Sequence, residues 1–246
     1  MSLVITQTLT AVCPNITSSF FTAGGSSPYV YAVAPNGAGG TINSSTGLYT
    51  APTVIGTTPQ TLIDTIQVTD AGSNTTSATI LVGTPLHLLC DILQNGLSLP
   101  QGRVYLWNQK VFQPTDSGMY IAVSMPRARA FANNKTYDSN GNVIQTINML
   151  GYVDIDIMSR DSSARDQKEF VPMALQSDYS ELQQEANSFL IGRLPAGSQF
   201  VNLSAIDGAA IPYRYKISVQ MQYGQIKTQP TPYFSSFSSV VVVTNP

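Results

Sequence analysis

A chain of 246 residues holds one large domain or two ordinary ones, and its 43% hydrophobic content suffices to bury a core. Only 11% of residues are charged, against the usual ~25%, and the formal net charge of −2 argues against a polybasic nucleic-acid binder. No run approaches the ~18 consecutive apolar residues of a spanning helix, so the low charge does not signal a membrane segment.

The charges are unevenly placed. Residues 1–84 carry only Asp64 and Asp70, while all 12 bases and the other 12 acids lie in residues 85–246. This shift in composition predicts a domain boundary near residue 84, giving domains 1–84 and 85–246. The opening MSLVITQTLTAVCP lacks a basic leader and a cleavage pattern, and reads as a strand. Cys13 and Cys90 fall on opposite sides of the boundary and are expected as free thiols.

The first 84 residues alternate as strands do. In QTLIDTIQVTD, Leu62, Ile66 and Val68 share one face, and Ile63, Thr65, Gln67 and Thr69 the other. Ala78, Ile80 and Val82 align again in SATILV. Turn-forming stretches separate these runs, so an all-β antiparallel sandwich is expected. Within GTINSSTGLYTAP, Gly47 suits a tight turn, Tyr49 is expected to bury its ring with its hydroxyl at the rim, and Pro52 ends the strand. The succession GTINSSTGLYTAP, TIQVTD, SATILV resembles a bacterial immunoglobulin-like domain over residues 3–83. That resemblance implies a spacer, decoration or adhesive module on secreted or virion surfaces, without catalysis.

The second domain opens on a helix of about ten residues. Thr84 is its N-cap, Pro85 its first position, and Leu86, Leu89, Cys90 and Leu93 its apolar stripe, with Gly96 at C′. RVYLWNQKVF and MYIAVSM read as strands. Residues 126–142 read as a polar, mildly basic loop. VIQTINMLGYVDIDIMSR reads as one long strand. DSSARDQKEFVPMALQS turns helical, with Ala164, Val171 and Leu175 on one side and Pro172 kinking or dividing it. SELQQEANSF is a further helix, with a Ser180/Gln183 capping box and a Leu182, Ala186, Phe189 stripe. FVNLSAI, YRYKISVQMQY and SSVVVVT close the chain as strands. Two or three helices against a mainly antiparallel sheet make an α+β domain.

The opening helix, PTDSGMYIAVSM and GYVDIDIMSRDSSARDQKEFVPMAL together resemble tail terminator, or tail completion, proteins of tailed bacteriophages. The likeness spans residues 85–230 as a pattern of elements. It implies a ring, six copies favoured and twelve the other count, joining the tail tube to the head connector. The N-terminal sandwich departs from the smallest members of that family and leaves open a collar role with a different ring size. Implied partners are other copies of the chain, the head connector, and tail tube or sheath proteins. DNA would pass through the lumen without sequence-specific binding. The implied place is the virion, assembled in the bacterial cytoplasm.

Few residues suggest chemistry. The single histidine, His87, lies three residues before Cys90, so a dyad is conceivable on one helical face, but a structural role is favoured. The Cys and His residues do not form a metal-ligand pattern, and no phosphate-binding glycine motif is present, so no metal and no cofactor are expected. Asp154 and Asp156 share one strand face. They are a polar sheet face, a carboxylate pair for hydrolysis, or a lumen face that repels phosphate. Arg127 and Arg129 are candidates for a partner contact. Val240, Val241, Val242 and Val243 form a terminal β-branched run that completes its own sheet or adds a strand to a neighbouring subunit. The expected function is a non-enzymatic neck or tail-terminator ring. The alternative is an adhesin or receptor-binding module, for which Tyr29, Tyr31 and Tyr49 are candidate contact residues.

Overall fold

The computed structural model describes residues 2–53, 62–107, 115–192, 199–204 and 213–229. The first part holds β1 (Val4–Gln7), β2 (Ala11–Val12), β3 (Thr17–Ala23), β4 (Val30–Val33), β5 (Thr41–Ile42), β6 (Leu48–Thr50), β7 (Ile63–Thr69) and β8 (Thr75–Val82). They form two four-stranded sheets, ordered β1-β3-β6-β5 and β2-β8-β7-β4. Phe20 and Tyr49 from one sheet share a buried cluster with Tyr31, Ile66, Val68, Ile80 and Val82 from the other. The two-residue alternation of β7 and β8 therefore does face a core, as expected.

That same alternation puts Asp64 on the inward side of β7 and Asp70, just past its end, on the same side, and both are buried. A buried carboxylate requires donors. Asp64 accepts from the Tyr49 hydroxyl at 2.6 Å and from the Gly39 and Gly40 amides at 3.1 and 2.8 Å. Asp70 accepts from the Ser26 and Asn74 amides and from the Asn74 side chain, which hold its carboxyl below the usual range. The two acids of this stretch are thus internal fasteners for loops. The Tyr49 hydroxyl does not sit at the rim. Its buried bond to Asp64 is the reason, and burial together with that bond raises its pKa. Gly47 adopts φ +70°, and its turn is closed by the Asn43 side chain accepting from the Ser45 and Thr46 amides.

The second part has α1 (Pro85–Gly96), β9 (Val104–Leu106), β10 (Tyr120–Tyr137), β11 (Val143–Ser159), α2 (Ser163–Gln167), α3 (Phe170–Leu175), α4 (Asp178–Ala186), β12 (Phe189–Ile191), β13 (Val201–Asn202) and β14 (Tyr213–Gln229). Its sheet runs β12-β14-β11-β10-β9, with β13 also on β14. Only the β9–β10 pair is parallel. Leu88, Leu89, Ile92 and Leu93 of α1 share a core with Ile121, Val123, Val153, Ile155, Ile157, Ile217 and Val219 of the sheet. The helical stripe is therefore turned from the expected one: Leu86 and Cys90 sit at its flanks, only partly buried.

Gly96 is not the C′ residue. It lies inside the last turn, the helix is capped at Leu97, and a Cβ on Gly96 would stand 2.5 Å from the Cβ of Ala174. The glycine lets α1 and α3 approach closely. Pro172 divides the next helical stretch as expected. It cannot donate to the Lys168 carbonyl, and the Val171 amide binds that carbonyl at 3.1 Å instead. Ala164, Val171 and Leu175 are all buried. The α4 cap is Ser177, whose hydroxyl accepts from the Ser180 amide, so Ser180 and Gln183 are buried helix residues and form no capping box. Leu182 is exposed, because α4 turns polar residues inward.

The largest departure concerns residues 126–142. They are not a loop. Residues through Tyr137 continue β10, and only 138–142 turn.

Candidate functional site

Three strands run on past the helices as a ribbon. β10 has 18 residues and spans about 60 Å at ~3.3 Å per residue. Its start is buried, but all 12 residues from Pro126 to Tyr137 are exposed. Pairing continues to the end, from Tyr137 with Val143 to Val143 with Gln229. The tip is fixed by Asp138, whose carboxylate accepts from the Asn140 and Asn142 amides at 2.9 and 2.8 Å and from the Asn142 side chain. Those donors hold its carboxyl below the usual range.

Two bulges interrupt the ladder, between Ser124 and Arg127 and between Ala130 and Ala132. Pro126, which has no amide hydrogen to give, lies in the first. Phe131 lies in the second, exposed, and Tyr137 and Ile226 are exposed nearer the tip. Arg127 and Arg129 pair with Tyr152 and Leu150 and so share a face of the ribbon. The Arg127 guanidinium stands 4.1 Å over the Tyr152 ring. On the opposite face Lys135 and Lys227 flank Gln145. From Ser117 to Val153 the only acid is Asp138, and none occurs from Ile217 to Gln229. Among the described residues, none of these four bases forms an ion pair.

Asp154 and Asp156 do share one face of β11, as expected, but not as free anions. Lys216 Nζ lies 2.6 Å from Asp154 and Arg214 Nε 3.1 Å from Asp156. The Ser218 hydroxyl also donates to Asp154 at 2.6 Å. Each acid reaches diagonally to a base on β14, so the face carries two acids and two bases. This corrects both sharper readings. Paired acids neither repel phosphate as a bare negative wall nor present themselves as an acid–base couple for hydrolysis.

His87 completes the cap of α1. The Thr84 amide donates to His87 Nδ1 at 3.2 Å, and burial holds the imidazole below its usual pKa. Burial pushes the Cys13 thiol up to about 12 and raises Cys90 as well, beside Asp91. Thiols shifted upward are protonated at neutral pH and poor nucleophiles, which disfavours the His87–Cys90 dyad. Both cysteines are free. Among the described residues no cluster of three or more His, Cys, Asp or Glu side chains is placed to hold a metal ion.

A polar seam that no motif or period marks lies between the two hydrophobic clusters. Asp91 of α1 accepts from the Tyr179 hydroxyl at 2.6 Å and from Thr10 Oγ1 at 3.0 Å. Gln183 Nε2 donates to the Tyr179 hydroxyl, Asn187 donates to Gln183, and the Cys13 amide donates to Asn187 Oδ1 at 2.6 Å. Burial raises the Asp91 pKa, opposed by its hydrogen bonds. This chain ties Thr10 and Cys13 to α1 and α4.

The three tyrosines proposed for an adhesive patch are engaged internally. Tyr31 and Tyr49 are buried, Tyr31 bonding Thr22 Oγ1 at 2.8 Å, and the Tyr29 hydroxyl donates to the Gly24 carbonyl. Val240, Val241, Val242 and Val243 lie outside the described residues. No helix among the described residues is long and apolar enough to cross a membrane. Protein-family models give no match to this chain, and neither do curated proteins.

Proposed function

We propose that the chain is a structural protein of a tailed bacteriophage, built into a homo-oligomeric ring at the head–tail interface. In this reading the ring joins the tail tube to the head connector, and residues 1–84 form an immunoglobulin-like module on its outside. The phage assignment rests on the sequence resemblance of residues 85–230. The observation that carries the ring is the ribbon. A long sheet exposed on both faces, with Phe131, Tyr137 and Ile226 uncovered, is a liability in a lone molecule. A closed assembly of identical copies covers such surface without open-ended growth. Many repeats of one modest contact then supply strength by avidity.

The mechanism is mechanical and assigns no reaction to the chain. A rigid annulus terminates the tube and offers a matched surface to the connector. DNA passes without base readout, and Asp154 and Asp156 are not needed as a repelling wall because Lys216 and Arg214 neutralise them. Electron micrographs of the purified chain test the ring, and gold-labelled antibodies on parent particles test its place. Annuli in the first and label at the neck in the second are expected. Label confined to fibre tips or the capsid shell would overturn the assignment.

A further inference from the structure

One edge of the long sheet is basic, and the opposite edge is acidic where α4 lies beside β12, with Lys227 farther along it on β14. The distal part of β10 is one edge: among the described residues, β9 pairs only with Ile121, Ala122 and Val123 of it. That edge bears Arg127, Arg129 and Lys135 and, from Tyr120 to Tyr137, no acid. The other edge is β12 with α4 beside it. There α4 bears Asp178, Glu181 and Glu185, all exposed, and no base. Between α4 and β12 lies a groove of about 550 Å³, lined by Leu175, Glu181, Glu185, Phe189, Leu190 and Ile191. Leu190 is exposed at its lip.

Glu185 sits in the last turn of α4, where the negative end of the helix dipole opposes a carboxylate and no base offsets it. Its placement weakens the isolated helix, and a base brought up from outside that helix would offset the penalty. The bases of the β10 edge, none of them ion-paired among the described residues, have the matching charge, and Phe131 and Tyr137 offer apolar surface beside them.

We infer that the β10 edge of one copy docks against the α4–β12 groove of a second copy. Arg127 and Arg129, which share one face of the ribbon, then face Glu181 and Glu185, and an aromatic side chain of the ribbon covers Leu190. The contact joins opposite edges of the same sheet, so it is head-to-tail and propagates around a ring. It is made by side chains and not by an added strand, because the two bulges break the backbone ladder of β10. The inference rests on the ring reading and names the surface that forms it.

The test is sedimentation velocity on the full chain and three variants: R127E/R129E, E181K/E185K and the four-fold combination. All four positions are exposed, so far-ultraviolet circular dichroism should stay unchanged. The expected result is an oligomeric wild type, dissociation of both double variants, and reassembly of the four-fold variant. A wild-type oligomer indifferent to both double changes, or a four-fold variant that stays dissociated, overturns the docking while leaving the ring intact. A monomeric wild type overturns the ring and the docking together. The wild type alone gives a second readout. Salt shortens the screening length from ~10 Å at 0.1 M to ~3 Å at 1 M, so its assembly should weaken across that range. Assembly that is equally firm at both salts speaks against charge pairing.

Discussion

At the scale of single residues, His87 gives the cleanest test, since the chain has no other histidine. Its folded pKa is depressed by burial, so the unfolded chain binds more protons just below pH ~6.5. Stability is therefore full above that value and falls as pH drops through the window below it. Changing His87→Gln keeps an acceptor for the Thr84 amide and removes the titration. Melting curves between about pH 5 and 7 should slope for the wild type and lose that component in the variant. The difference isolates His87 from Asp91, whose raised pKa acts in the opposite sense. Tyr179→Phe removes a donor from half-buried Asp91, and urea unfolding should show a loss of about 1 kcal/mol. No measurable loss would mean the seam is solvated.

Elements differ in how much of them sequence reveals. β7 and β8 were legible because one face is buried, which enforces the two-residue period. The split at Pro172 was legible because the missing amide is a local fact. The ribbon was not, because both of its faces are exposed: PRARAFANNK has no hydrophobic period to betray a strand, and only its cross-strand partners reveal it. Its one available signal was the near absence of acids from Ser117 to Val153. The groove between α4 and β12 was equally hidden, since Glu181 and Glu185 read as ordinary helix surface. Gly96 misled for a related reason. Glycine near a helix end suggests a cap, whereas Ala174 demands it for close packing. Gly96→Val should cost about 1–3 kcal/mol by overpacking, which outweighs the few tenths regained in helix propensity. Chemical denaturation measures it, and a variant as stable as the wild type would show that α1 and α3 can part freely.

For the whole molecule, the buried residues of one hydrophobic cluster all precede residue 84 and those of the other, Ala11 excepted, all follow it. The seam through Thr10, Asp91, Tyr179, Gln183 and Asn187 bridges them. Exposed apolar side chains on the ribbon add little to the stability of a lone chain, so Phe131→Ser should leave monomer unfolding within about 0.5 kcal/mol while weakening assembly. The claim on which all of this depends is closure into a ring. Size-exclusion chromatography with multi-angle light scattering on the full-length chain addresses it directly. The expected mass is six or twelve times the 26.4 kDa of one copy and constant over a broad concentration range. A mass of one copy throughout, or one that climbs without limit as concentration rises, would contradict it.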